Sequence, residues 1–205
     1  MNFRPATTND IPLLGKLICE TMTNWGVVAY GLGSQQRAEQ AITNLASFTK
    51  NRYSYTLAQI LEIDQQPAGI LLSFPGKTMQ SLKYSLLWQL FKIYPLPDAL
   101  YVLRWISHGF FYADSLPDEY HIAHLAVVES FRRRGLGKQL LEHAETLALQ
   151  NGLNKCSLEV GLTNDNARSL YDTCGYTVVD TVSREKLKEK YGIAGIERRV
   201  KILKP

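Results

Sequence analysis

The chain has 205 residues, 45% of them hydrophobic, and 23 basic against 19 acidic side chains for a net charge of +4, enough to bury a full core and most simply read as one domain over 1–205. Residues 1–100 carry 8 basic and 6 acidic side chains and 101–205 carry 15 and 13; with no basic tail or face, a nucleic-acid partner is not expected. Cys19, Cys156 and Cys174 are odd in number and lack metal-type spacing, which argues against a disulfide framework and a metal site and suits reduced core thiols.

The opening, MNFRPATTND, has no apolar stretch of the export type, so a cytoplasmic location is expected. Thr8-Asn9-Asp10 supplies cap-type side chains, and Ile11, Leu14, Leu17, Ile18 and Met22 recur at helical spacing, predicting a helix over roughly 10–24. Ser34 reads as the cap of a second helix to about 49. Tyr55–Ile63 and Ala68–Phe74 read as strands joined by Asp64-Gln65-Gln66-Pro67, a hairpin. Leu82–Tyr94 is a helical run bounded by Pro95 and Pro97, and 98–111 follows as a further helix. Lys92, Pro95, Pro97, Asp98 and Arg104 interrupt the hydrophobic stretch Leu86–Tyr112, which leaves it short of the roughly 20 residues of a membrane span. No membrane partner is expected.

In the second half, His121–Val128 reads as a strand. Leu136, Leu140, Leu141, Ala144, Leu147 and Ala148 form one apolar helix face ending near Asn151-Gly152. Ser157–Val160 is predicted as strand, Asn164–Thr173 as helix, Tyr176–Thr181 and Ile196–Leu203 as strands. A strand-helix-strand crossover implies parallel pairing and the early hairpin antiparallel pairing, so the fold class is α/β with a mixed sheet.

Between the strand to Val128 and the helix from Leu136 lies FRRRGLG, Phe131–Gly137. A helix start offers N–H groups without intrahelical partners and a partial positive charge. Gly135 and Gly137 allow close approach to the main chain, and Arg132, Arg133 and Arg134 attract anions. The turn is thus a candidate phosphate site. It is neither the Gly-x-Gly-x-x-Gly dinucleotide fingerprint nor a P-loop, because no Gly-Lys-Ser/Thr follows.

Position by position the turn resembles the coenzyme A signature of the GCN5-related N-acetyltransferases. Arg132 stands where that family has Gln or Arg, Gly135 and Gly137 fall on its glycines, and Leu125-Ala126-Val127 matches its strand end, with Val128-Glu129 departing mildly from the usual step. A second block, NDNARSLYDTCGY, is similar to the family's later segment at Asn164, Ala167, Leu170, Tyr171, Gly175 and Tyr176, and Phe3–Thr7 with Asp10–Leu14 resembles its first strand and helix. The longest resemblance runs over roughly 119–184 and fades over about 75–118, an aromatic-rich helical insertion.

The resemblance implies acetyl-CoA as cosubstrate and no metal. It implies that the main chain of Leu125, Ala126 and Val127 pairs with the pantetheine arm, that Arg132 through Leu136 to Lys138 hold the pyrophosphate, and that Asn164 and Ala167 lie along the coenzyme. Backbone N–H near Leu125 would polarise the thioester. Tyr171 falls where the family often keeps a tyrosine near the sulfur, a proton donor for the thiolate; the alternative is a packed core tyrosine. His121, eleven residues before Arg132, occupies the place of a proton acceptor in several members. Glu159 and Glu119 are further contenders, and His124 would face the other side of a regular strand unless a bulge intervenes. Asn164 also suits a helix cap, and Arg168 and Lys138 suit either solvent or the adenosine phosphates.

The acceptor, a primary amine of a small molecule or peptide, is shaped by Trp25–Ser34 and the insertion. The insertion's Trp88, Phe91, Tyr94, Tyr101, Trp105, Phe110, Phe111 and Tyr112 read as a lid, a homodimer interface or plain core. The expected function is N-acetyl transfer by direct attack in a ternary complex; a non-catalytic acyl-CoA-binding regulatory module is the alternative.

Overall fold

The computed structural model describes residues 1–110 and 115–204. Phe111 and Tyr112, the side chain of Phe110, and the last residue of the helix expected over 98–111 lie outside the described residues. In chain order the elements are β1 (Asn2–Pro5), α1 (Ile11–Ala29), α2 (Gln35–Ala46), β2 (Ala58–Ile63), β3 (Gln66–Pro75), α3 (Met79–Ile93), α4 (Leu96–Phe110), β4 (Tyr120–Val127), α5 (Leu136–Gln150), β5 (Lys155–Gly161), α6 (Asp165–Thr173), β6 (Thr177–Ser183), α7 (Glu185–Tyr191) and β7 (Gly195–Ile202). Among the described residues no helix is long and apolar enough to cross a membrane.

The strands form one seven-stranded sheet in the order β1-β2-β3-β4-β5-β7-β6. Only β4 and β5 run parallel, because α5 carries the chain across from one to the other; every other neighbour is antiparallel. Alternation along the strands divides the core in two. Ile60, Ile70, Leu72 and Phe74 face α1 to α4, with Leu14, Ile18, Ile42, Leu45 and Leu90 packed on them. Leu61, Leu71, Ile122 and Leu158 face the other side, against Leu140, Leu141, Ala144 and Tyr171.

Two helices of the first layer touch at backbone range. A Cβ on Gly15 of α1 would lie 1.9 Å from Thr43 Oγ1 of α2, so only glycine fits at this crossing. α1 continues to Ala29, beyond the end expected near 24, but it is broken at Thr23, where φ is 51° and ψ −141°. For a β-branched residue this backbone costs of order 1–3 kcal/mol. The continuation is an apolar turn, with Val28 buried and Ala29 and Tyr30 in the first core, so tertiary burial extends the helix past the break.

Other boundaries shift for identifiable reasons. Tyr55–Leu57 is a 3₁₀ turn held by Ser54, whose hydroxyl accepts from Thr56 N, and not the start of the strand. α7, unmarked by apolar spacing, is a short charged helix. The insertion forms α3 and α4: Leu82, Leu86, Leu90, Ala99, Val102 and Ile106 join the first core, while Tyr84, Trp88, Phe91, Leu96 and Leu100 are exposed.

The first helix is tied to the sheet edge by charge. Asp10 accepts two bonds from the Arg4 guanidinium, at 2.7 and 2.9 Å, and one from Thr7 N at 2.8 Å, while Arg4 Nε reaches Glu62 at 2.7 Å. These bonds, the Arg4 contact foremost, lower the Asp10 carboxyl to about 2. A depressed carboxylate stabilises the fold above its unfolded value near 4 and ceases to do so as pH falls through the folded value. The contribution, about 2 kcal/mol, is therefore expected to be lost between about pH 4 and about pH 2. Urea unfolding of Asp10→Asn should show lower stability at neutral pH and a flatter acid limb than the parent; parallel curves would assign the acid loss elsewhere.

Candidate active site

The arginine-glycine turn leaves β4 through a 3₁₀ turn at Glu129–Phe131. Gly135 stands at the N-cap of α5 with φ 76°, a conformation in which a side chain is strained. Leu136 is buried in the second core, and a Cβ on Gly137 would lie 2.9 Å from Leu170 Cδ2, so α5 starts pressed against α6. Arg132, though exposed, is turned back onto the protein: Nε donates to Val127 O at 3.0 Å and Nη2 to Glu20 of α1 at 2.8 Å. Arg134 lies over the Phe131 ring at 5.3 Å and donates to Ser130 O at 3.3 Å. Arg133 is exposed with φ 63°, and Lys138 stands 3.8 Å from Glu142 in an exposed pair worth little. Gly135 and the first turn of α5 thus present main-chain N–H groups and the positive helix end to solvent.

Beside this turn the sheet opens. β4 pairs with β5 at only three positions, Tyr120 with Cys156, His121 with Ser157 and Ile122 with Leu158. β5 then follows β7 through Gly161, and β4 follows β3 through Val127. On the β5 side, the main chain of Leu125, Ala126 and Val127 has no strand neighbour among the described residues. Leu125 and Val127 lean on the second core and Ala126 on the first.

A slip in the β3–β4 register sets what lines the opening. Leu72 pairs with His124 but Ser73 with Ile122, leaving Ala123 as an extra residue. Such a bulge shifts the alternation by one. His121 and His124 consequently share a face: the His121 ring packs on Phe74 at 5.5 Å and the His124 ring on Tyr53 at 5.6 Å, both members of the first core. Ser157, on this face too, has its Oγ 3.4 Å from His121 Nδ1. Glu159 is half-buried two residues further, opposite Arg198 in register.

Glu119 is buried, forms an ion pair with Arg198 and accepts from Leu116 N at 2.9 Å. That pairing makes it a structural anion. His124 Nδ1 lies 2.7 Å from Thr21 Oγ1 of α1. Burial first, then the nearby Arg52 and His121, push this imidazole well below its usual value, so it is neutral at pH 7.

On the other face, Tyr171 of α6 is 8% exposed and packs on Tyr176. Burial raises its phenol to about 12, partly offset by Arg199. α6 is capped by Asn164, whose Oδ1 accepts from Ala167 N at 3.2 Å. It is fastened to β7 by a network centred on buried Glu197 and Arg199, in which Glu197 accepts from the part-exposed Arg168 at 2.8 Å and from Arg199 at 2.8 and 2.9 Å, and Arg199 reaches the exposed Asp172. Arg168 is thereby bound to protein carboxylates. Among the described residues no group of three or more His, Cys, Asp or Glu forms a metal cluster.

An open cleft of about 420 Å³ lies where α1, α4 and α7 meet, lined by Asn24, Val27, Leu32, Gly33, Tyr101 and Tyr191 among others. The Trp105 ring packs edge-on against Trp25 and Tyr191 behind it. Thr21, Tyr53 and Asn24 escape sequence reasoning, because none belongs to a motif and each reaches the site through helix or sheet packing. The bulge at Ala123 has no local mark either.

The sequence model described as the acetyltransferase (GNAT) family matches residues 30–176. Among solved structures, an N-acetyltransferase from Staphylococcus aureus Mu50 superposes with a TM-score of 0.70 at 21% identity, over 98% of this chain and 100% of that one. A further acetyltransferase gives 0.66 at 19% identity over all of both chains. The PaiA N-acetyltransferase from Thermoplasma acidophilum, solved in complex with coenzyme A, gives 0.52 at 14% identity over 96% of each. At these identities the likeness is one of fold. No curated protein matches the sequence significantly.

Removing Glu197 would leave Arg199, itself buried, and Arg168 without their shared carboxylate. Glu197→Ala is expected to cost about 3 kcal/mol in urea unfolding; a change below about 1 kcal/mol would mean that the network does not hold α6.

Proposed function

Because the chain belongs to the GNAT acetyltransferase family, we propose that it is an acetyl-CoA-dependent N-acetyltransferase acting on a primary amine of a small molecule or peptide. The observation that carries this reading is the parting of β4 and β5 beyond Ile122, directly after which the chain makes its glycine turn. In this reading the pyrophosphate sits on the N–H groups of Gly135 to Lys138, with Arg133 and Arg134 adding charge. The pantetheine arm then runs along the unpaired side of Leu125, Ala126 and Val127 as a short extra strand, passing Asn164 and Ala167. Arg132 serves from behind, fixing Val127 and α1.

The acetyl carbonyl would lie at the opening, where an N–H near Leu125 stabilises the developing oxyanion. The amine attacks from the α1 to α4 face, forming the C–N bond as the C–S bond breaks. Its proton leaves toward His121 and Glu159, directly or through a water molecule. Tyr171 faces the sulfur from the other side. A phenol at about 12 against a thiol of ordinary value near 8.5 makes complete proton transfer uphill by roughly 5 kcal/mol. Its work is then to donate a hydrogen bond that stabilises the thiolate as it forms. The remainder of the acceptor fits the cleft beside Asn24 and Tyr101.

Calorimetric titration with acetyl-CoA, coenzyme A and dephospho-coenzyme A, followed by thiol release over a panel of amines, tests the proposal. Micromolar binding with thiol release for one amine class is expected. Binding without turnover would favour a coenzyme-sensing module, and no binding would refute the reading.

Tyr171→Phe should lower kcat by about tenfold or more with coenzyme affinity unchanged; unaltered kcat would remove the phenol from the mechanism. His121→Ala should shift the acid limb of the kcat/KM profile. If the profile stays put, the proton goes to Glu159 or to water.

A further inference from the structure

One polar atom on the histidine face of β4 is unaccounted for by these roles. His124 is 9% exposed, and its Nε2 is buried without a hydrogen-bond partner among the described residues. Such orphans are rare in folded proteins, and each calls for an explanation. The neighbouring bonds define what Nε2 offers. Thr21 Oγ1 lies 2.7 Å from Ile18 O and 2.7 Å from His124 Nδ1. A carbonyl only accepts, so the single hydroxyl proton goes to Ile18 O, and the hydroxyl oxygen accepts from Nδ1–H. The ring is thereby fixed as the Nδ1–H tautomer, and Nε2 carries a bare lone pair.

The face on which the ring lies follows from the strand. His124 lies two residues past Ile122, the last position at which β4 touches β5, and the bulge at Ala123 turns it to the face shared with His121. The surrounding charges favour a neutral ring: Arg52 and His121 both act on it, Tyr53 packs on it while bonding Tyr30, and Glu20 is neutralised by Arg132.

Resting on the acetyltransferase reading, we propose that Nε2 of His124 is the acceptor that receives an N–H of the uncharged amine and aims its lone pair at the thioester carbonyl. His124 takes no proton in this role; it selects the neutral amine and orients it. An ammonium group would meet the field of Arg52 as it entered, and would have no lone pair with which to attack.

Two isosteres separate contact from scaffolding. His124→Asn keeps a donor at the Nδ1 position for Thr21 and removes the Nε2 acceptor; His124→Gln carries an amide to the Nε2 position and gives up the Thr21 bond. With hydroxylamine as a small primary amine that is uncharged at neutral pH, His124→Asn is expected to lower kcat/KM by about tenfold or more, mostly through KM, with a cooperative melting transition and acetyl-CoA affinity retained. His124→Gln should recover part of that loss. Wild-type kcat/KM in His124→Asn would overturn the proposal, as would a loss in which Gln fares no better than Asn.

The ring state is read without turnover. Nitrogen NMR of histidine-labelled protein should show His124 as the Nδ1–H tautomer, unprotonated from about pH 6 to about pH 8. An Nε2–H tautomer, or titration within that range, would overturn the proposal even if the protein acetylates amines. The expected tautomer in a protein that binds no acetyl-CoA would instead refute the acetyltransferase reading.

Discussion

β4 and β5 each commit their hydrogen bonds outward, β4 to β3 over seven residue pairs and β5 to β7 over seven, while sharing only three with each other. A backbone donor or acceptor left without a strand neighbour must find another partner. Val127 O finds one in the Arg132 guanidinium, and the main chain beside it stays open to water or to an extended ligand. Everything assigned to the site follows from where this parting occurs: the turn at Gly135 lies at the far end of β4, the histidine face on one side and Tyr171 on the other.

Each half of the sheet is anchored by packing as well as by strand pairing. Leu140, Leu141 and Ala144 of α5 are packed against β3 and β4 residues such as Leu71 and Ile122, and the same helix meets Leu158 of β5. The Glu197, Arg168 and Arg199 network fastens α6 to β7. A paired charge buried in this way is weak evidence for net stability, but its bonds do join α6 to β7. α6 is the helix that carries Tyr171.

α1 touches the arginine-glycine turn and the histidine face of β4 at adjacent residues. Glu20 takes the Arg132 guanidinium, and Thr21 takes the His124 ring. The helix then breaks at Thr23 before running on into the cleft wall at Asn24, Val27 and Val28. Both contacts lie in the helix just before the break, so the non-helical residue separates them from the cleft wall.

The sequence alone determined the mixed sheet, the glycine turn before α5, the cap at Asn164 and the family, because these depend on short-range chemistry. Periodicity marks a strand or helix, glycine marks a left-handed turn, and a motif of fixed spacing marks a phosphate site. Long-range facts were closed to it. The extra residue at Ala123 moves His124 onto the face of His121, yet a bulge is set by how β3 and β4 pair, 50 residues apart in register. Glu119 could be read as a free base until Arg198 was found across the sheet. Thr21 became a ring-orienting residue only because α1 packs over β4. Tertiary structure decided these because burial and pairing, unlike propensity, belong to residues distant in the chain.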